Sequence, residues 1–317
     1  MILVTGGSGF IGSHLMYAMK DAEIINLDIN KPSETFSKNH TYVQGDIRNI
    51  GMVNDLVKQC DTIIHLAAIW DDFVLDKEQY YSVNVEGTKN LIDAANTFRI
   101  ATFINYSSVS VYGNSVEECL ETSVCKPVND YGKSKLLAET LFEDLANNNP
   151  KMKIIHLRPS VVFGANNFGN IYRLIKQIKS GLYFNIGRKN TIKSVSYVEN
   201  LVQGTKFLVE NAKPGIEIFN YADKPHLSTT EISDIICSSL GRRKGVRLPY
   251  WCVYTMALPF DVIIAVTRIN LPVSTTRVKK ICTPTKNNCD KLLKSGFIPK
   301  FSSKEGLQKT VRWVLDN

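Results

Sequence analysis

At 317 residues and 35.6 kDa, with 44% hydrophobic and 21% charged residues, the chain is too apolar for disorder and long enough for one large α/β domain or two intimate ones. No run of roughly 18 uncharged apolar residues occurs, which argues against a membrane-spanning helix. The net charge of +8 is unevenly spread: residues 241–317 hold 15 Lys plus Arg and 4 Asp plus Glu, a local +11 against −3 for the rest. A basic C-terminal quarter points to an anionic partner such as a phosphate or an acidic lipid surface, or to a solvated basic face. Seven cysteines form no CxxC pair and five histidines no HExxH, so neither a disulfide framework nor a metal site is expected. The opening MILVTGGSGFIG has neither the basic n-region nor the cleavage site of a secretory leader, and a cytoplasmic location is expected.

In chain order, Met1–Thr5 reads as a buried strand, then a glycine turn, then a helix through Ile11, Leu15 and Met19. Strands follow at Ile24–Asp28, Tyr42–Gly45 and Thr62–Ala68, a helix over Asn84–Phe98, and a strand over Thr102–Ser107. Tyr131–Ala146 reads as a helix and Lys153–Arg158 as a strand. Near-continuous apolar strands separated by helices predict a doubly wound α/β domain with a parallel sheet covered on both faces. After Pro159 the rhythm loosens, with helices at Ile171–Ser180, Glu199–Glu210 and Thr230–Leu240 and a strand at Glu217–Tyr221. The expected division is a dinucleotide-binding domain over 1–160 and a smaller substrate-binding lobe over 161–317, with segments near 191–222 returning to the first domain.

The glycines of Gly6-Gly7-Ser8-Gly9-Phe10-Ile11-Gly12 lie between the first strand and the first helix. Bare backbone there lets a pyrophosphate approach the helix N-terminus, where free N–H groups favour negative charge. Asp28 ends the second strand, 22 residues after Gly6, where a carboxylate can accept both ribose hydroxyls of an adenosine. It would also repel a 2′-phosphate, which favours NAD, although Lys31 nearby leaves NADP open. A simple tight turn and a helix cap are the competing explanations. Tyr131 and Lys135, four apart, share one helix face. An ammonium beside a phenol stabilises the phenolate and makes proton exchange with an alcohol feasible near neutrality. Ser107, Ser108 and Ser110 cluster at the C-terminal end of a strand, the end that faces the ligand crevice in open α/β sheets.

The blocks TGGSGFIG, Asp28, GDI at 45–47, HLAA at 65–68, NVEGT at 84–88, SSVSVYG at 107–113, YGKSK at 131–135 and RPSVVFG at 158–164 resemble the extended short-chain dehydrogenase/reductases, the NAD-dependent epimerase/dehydratase family. The resemblance implies a Rossmann-type sheet, NAD as cofactor and a catalytic trio of Ser108, Tyr131 and Lys135. It implies cofactor contacts from Gly6, Gly9, Phe10, Ile11, Gly12, Asp28, Asp46, Ile47, Ala67, Ala68, Asn84, Tyr131, Lys135 and Pro159. Ser108, Asn170 and Arg277 are implied on the substrate side, and His65 reads as a packed strand residue. Family members act mostly on nucleotide-linked sugars. A 4,6-dehydratase of the family would carry Thr-Asp-Glu where this chain has Ser108-Val109-Ser110, so dehydration is disfavoured and 4-epimerisation through a keto sugar is expected. No metal and no nucleic-acid partner are expected.

The second-half segments 163–178, 193–200, 219–225 and 277–280 resemble a bacterial branch whose members include an enzyme that epimerises N-acetylglucosamine on undecaprenyl pyrophosphate for O-antigen synthesis. A soluble UDP-sugar 4-epimerase, a 4-keto reductase and a non-enzymatic NAD-binding regulator remain alternatives. Residues 248–266 are rich in apolar and aromatic side chains, Tyr250, Trp251 and Tyr254 among them, and Pro259 and Asp261 interrupt the run. Arg242, Arg243, Lys244 and Arg247 precede it and Arg268, Arg277, Lys279 and Lys280 follow. Such a patch suits peripheral contact with an anionic membrane, or else it is the core of the smaller lobe. The resemblance also implies a homodimer, paired through apolar stripes on the helices at 84–98 and 131–146.

Overall fold

The computed structural model describes residues 1–70, 76–115, 117–181, 183–187, 191–267 and 274–317. The first half runs β1 (Ile2–Thr5), α1 (Phe10–Ala18), β2 (Ile24–Asp28), β3 (His40–Gln44), α2 (Ile50–Val57), β4 (Thr62–His65) and α3 (Glu78–Tyr81). A π-helical turn at Ser82–Gly87 leads into α4 (Thr88–Phe98), then β5 (Thr102–Tyr106), a 3-10 turn at Val109–Tyr112, α5 (Asp130–Thr140), α6 (Phe142–Asn148) and β6 (Lys153–Pro159). The second half holds β7 (Val161–Phe163), α7 (Asn170–Lys179), β8 (Phe184–Ile186), β9 (Ile192–Lys193), β10 (Val195–Tyr197), α8 (Val198–Asn211) and β11 (Gly215–Tyr221). It closes with β12 (Leu227–Ser228), α9 (Thr229–Ser239), β13 (Val246–Leu248), α10 (Tyr250–Thr267), α11 (Thr275–Cys282), α12 (Asp290–Lys294) and α13 (Ser303–Asp316).

Seven strands form one parallel sheet in the order β11-β6-β5-β4-β1-β2-β3. Its inner strands are buried at every residue but Ile2 and Lys153, which is why they read as apolar runs rather than alternations. Helices α1 and α8 cover one face through Leu15, Met16, Val198, Leu201 and Leu208. Helices α2, α4 and α6 cover the other through Val53, Val57, Leu91, Ile92, Phe142 and Leu145. Each fully buried Leu or Ile here contributes about 1.5–3 kcal/mol relative to exposure. The chain reverses direction across the sheet between β1 and β4, which opens the crevice in which such folds bind ligands. A separate core joins α7, α9 and α13 through Ile175, Ile236, Leu307 and Val311.

Three expectations need correction. The strand expected through Ala68 ends at His65, because the backbone there turns aside against Gly6. The helix expected over 131–146 is two helices meeting at Leu141. The apolar stripe of 84–98, Leu91, Ile92 and Ala95, is spent on the chain's own sheet, and the outer face of α4 carries the Lys89–Asp93 ion pair. Pro259 lies inside α10, and Asp261 accepts from the backbone N–H of Thr275 at 3.1 Å, next to Ser274, which caps α11. One side of α10 joins a small core through Val253 and Ala257, packed with Val278, Phe184, Ile186 and Leu248, while Trp251 is 69%, Met256 65% and Val262 64% exposed. No helix among the described residues is long and apolar enough to cross a membrane. Arg268 lies outside them.

Candidate active site

Strand β1 delivers the chain to Gly6, whose φ of +75° is open to glycine and strained for other residues. A Cβ on Gly6 would stand 2.6 Å from the amide nitrogen of Ala67, and one on Gly12 2.6 Å from the Cα of Gly7. The turn, the helix and the end of β4 therefore close on one another only with bare backbone. Gly9 begins α1 with no side-chain cap, and no acidic residue stands in the first turn. The first N–H groups of α1, from Phe10 and Ile11 onward, are thus left to an anion.

Asp28 sits at the tip of β2, buried, with Oδ2 accepting from Ser8 N and Oδ1 from Asn30 N, each at 2.9 Å. Each oxygen keeps a further acceptor position, so the carboxylate is aimed rather than consumed. Asp46 is gripped by Arg48 through Nε and Nη2, which holds its carboxyl below the usual range. Ile47 is buried beneath Gly87, where a Cβ would meet its side chain. Ala68 follows Ala67 half-buried, and Pro159 is buried at the end of β6. His65 is fully enclosed, with Nδ1 at 2.6 Å from Thr5 Oγ1 and Nε2 at 2.9 Å from Thr88 Oγ1. Burial keeps it neutral, and both ring nitrogens are occupied within the fold.

Asn84 lies in the π-helical turn and is fully buried. Its Oδ1 accepts from Ile69 N at 2.8 Å, and its Nδ2 donates to Ile69 O at 2.9 Å and Ser134 Oγ at 3.0 Å. The amide ties the segment after β4 to α5.

Ser108 leaves β5 in extended conformation, accepts from Ser110 N at 3.1 Å and donates to Ser110 Oγ at 3.0 Å. Asn129 caps α5 by accepting from Gly132 N at 2.9 Å. A Cβ on Gly132 would lie 2.6 Å from the carbonyl oxygen of Ser110; its absence lets the start of α5, with Tyr131, press against the serine turn. One helical turn on, Lys135 is 1% exposed and its ammonium makes no hydrogen bond or ion pair with the described residues. Burial pushes it down to about 8, and Glu139 partly opposes the shift. Gly6, Ala67 and Ser108 thus lie beyond the C-terminal ends of the adjacent strands β1, β4 and β5, with Tyr131 and Lys135 alongside. Asn170 opens α7 and the half-buried Arg277 lies in α11, both in the second half. Among the described residues no His, Cys, Asp and Glu cluster could hold a metal.

The sequence profile of the NAD dependent epimerase/dehydratase family matches residues 2–222. The chain belongs to that family. It is 34% identical over 98% of its length, and 94% of the relative's, to N-acetyl-alpha-D-glucosaminyl-diphospho-ditrans,octacis-undecaprenol 4-epimerase of Escherichia coli O157:H7. It is 28% identical to human dTDP-D-glucose 4,6-dehydratase over 100% of this chain and 90% of that one. Its fold matches UDP-glucuronic acid 4-epimerase from Bacillus cereus in complex with NAD, with a TM-score of 0.80 at 23% identity over 99% and 98% of the two chains.

As a member of this NAD dependent family the chain has residues that fit the dinucleotide. The turn has no room for a Cβ at Gly6 or Gly12, and α1 offers uncapped amides. Asp28 keeps acceptor positions, and the buried ammonium of Lys135, with no hydrogen bond or ion pair among the described residues, suits ribose hydroxyls. Sequence reading missed Gly132, Ser134 and the buried Glu139–Arg158 pair. A small residue directly after Tyr131 and a carboxylate four residues past Lys135 were the signals available.

Proposed function

We propose that the chain is an NAD-dependent 4-epimerase that interconverts N-acetylglucosamine and N-acetylgalactosamine on undecaprenyl pyrophosphate through a transient 4-keto sugar. The observation that carries the reading is the end-to-end similarity to the Escherichia coli relative. Bound NAD supplies reversible hydride exchange at C4. Tyr131 takes the proton from O4 and gives it back, Lys135 stabilises its phenolate and holds the ribose, and Ser108 holds the reacting oxygen against Tyr131. Val109 and Ser110 bring no carboxylate to assist loss of water, unlike the dehydratase pattern, so the keto sugar is free to turn over. Residues 1–160 bind the cofactor through Gly6, Gly9, Gly12, Asp28 and their neighbours. Residues 161–317 hold mainly the sugar pyrophosphate, with Asn170 and Arg277 on the substrate side.

A lipid-borne substrate places the enzyme at the cytoplasmic face of the membrane. Helix α10, with Trp251, Met256 and Val262 exposed, and the basic residues Arg242, Arg243, Lys279 and Lys280 form the contact. Such a surface inserts shallowly, and each basic residue near an anionic leaflet adds about 1 kcal/mol. The chain pairs as a homodimer through the outer faces of α4 and α5, where Leu137 is exposed. Its product feeds O-antigen assembly of lipopolysaccharide.

The test offers purified protein lipid-linked and UDP-linked N-acetylglucosamine and reads the stereochemistry at C4. Conversion of the lipid-linked sugar is expected. Conversion of the UDP form alone would make it a soluble UDP-sugar 4-epimerase, and a reduced product would make it a 4-keto-sugar reductase. Failure with both would leave an NAD-binding regulator.

A further inference from the structure

The face of α5 that carries Tyr131 and Lys135 continues for one more turn to Glu139, so the three residues stand in one row at i, i+4 and i+8. Glu139 is buried, and Arg158 of β6 grips both of its oxygens: Nε donates to Oε1 at 2.9 Å and Nη2 to Oε2 at 2.5 Å. Arg158 Nη1 donates to the Tyr112 hydroxyl at 2.8 Å, and that hydroxyl donates to Asn220 Oδ1 at 2.7 Å. The guanidinium also lies 5.0 Å from the centroid of the Tyr112 ring. Asn220 of β11 is pinned in turn, its N–H donating to Glu121 at 3.0 Å. A continuous set of bonds therefore runs from the sheet edge to α5 and leaves the Glu139 carboxylate no freedom to swing.

A buried ion pair contributes little net stability, since desolvating both charges offsets their attraction. Its location suggests another use. Facing Glu139 are Lys135 on its own helix, Arg158 and His156 on β6, and Cys125 in the segment before α5. Facing Lys135 are Glu139, His156 and His65 of β4, and burial keeps both histidines neutral. Glu139 is thus the carboxylate whose charge acts on Lys135 among the described residues.

We propose that Glu139, clamped by Arg158, is a positioning residue for proton transfer: its fixed charge keeps Lys135 an ammonium and, through Lys135, keeps Tyr131 able to exchange a proton near neutrality. The inference rests on Tyr131 and Lys135 being the acid–base pair. Burial alone drives Lys135 toward its neutral amine, and a neutral amine cannot stabilise a phenolate.

The experiment follows Lys135 directly in the full chain carrying isotope-labelled lysine, with its side-chain resonance assigned by loss in Lys135→Arg. In Glu139→Gln the titration midpoint of Lys135 falls by about one pH unit, and the alkaline limb of turnover moves the same way. Glu139→Asp keeps the charge and restores most of the midpoint. Glu139→Gln alone strands the Arg158 charge and costs stability, so it is paired with Glu139→Gln/Arg158→Met, which leaves neither charge buried. The double variant regains thermal stability but keeps the low Lys135 midpoint; a purely structural pair would regain both. A wild-type midpoint in either variant overturns the proposal. Turnover retained in Tyr131→Phe would instead sink the acid–base reading and leave the Lys135 titration untouched.

Discussion

Gly132→Ala is a one-carbon test of how the site is assembled. The added Cβ would stand 2.6 Å from the Ser110 carbonyl oxygen, well inside a normal carbon–oxygen contact. The obstacle is backbone, so α5 or the serine turn has to move by several tenths of an ångström. Overpacking of this kind costs about 1–3 kcal/mol, while Ala in place of Gly in a helix returns about 1 kcal/mol, so the net loss of stability is about 0–2 kcal/mol. Activity bears the larger effect, because Tyr131 precedes the substituted residue and Ser108 lies two residues before the carbonyl that is pushed. A displacement near 1 Å costs up to about 100-fold in rate, so a 10- to 100-fold fall in kcat is expected with NAD binding near normal. The assay measures sugar turnover, bound NAD and thermal midpoint side by side. Gly51→Ala in α2 is the control: its Cβ would meet Asn49 Oδ1 at an ordinary 3.5 Å, and slight stabilisation with full activity is expected. Undiminished turnover in Gly132→Ala would refute the claim that this close approach sets the Tyr131–Ser108 geometry.

Asp28→Ala removes charge-assisted acceptors of about 1.5–3 kcal/mol, so NAD should bind about 10- to 100-fold more weakly in a calorimetric titration; a wild-type preference for NADP would contradict the role given to this carboxylate. Tyr131→Phe should lose nearly all turnover while retaining NAD, whereas Lys135→Ala should lose both, and equal effects of the two on cofactor retention would speak against separate duties. Sedimentation with anionic vesicles should carry down the wild type in a salt-sensitive way and lose Trp251→Ser and Arg242→Glu/Arg243→Glu; indifference to these substitutions removes α10 from the membrane. Light scattering at micromolar concentration should report a dimer that Leu137→Glu weakens, and a monomeric wild type would end the pairing proposal.

What is local in this protein could be read from its residues. The inner strands are apolar because both sheet faces are covered, the glycines fall where β1 must turn into α1, and Tyr131 and Lys135 share a face through helical period alone. Asp28 could be placed because the strand that carries it is short and its end is marked. Helices α9 and α13 begin with reciprocal caps, Ser228 with Glu231 and Ser302 with Glu305, and both carry the Ser-x-x-Glu spacing that marks a helix start in sequence. The remainder depended on partners distant in sequence. Glu139 meets Arg158 across 19 residues, and Asn84 spends its amide on Ile69 and on Ser134, 50 residues away. Gly132 has meaning only against the backbone of Ser110. Composition alone could not tell whether α10 is core or surface, since an apolar helix looks the same before packing. Only the tertiary arrangement leaves Trp251 and Met256 in the open, because β8, β13 and α11 together bury just one narrow side of the helix, at Val253 and Ala257.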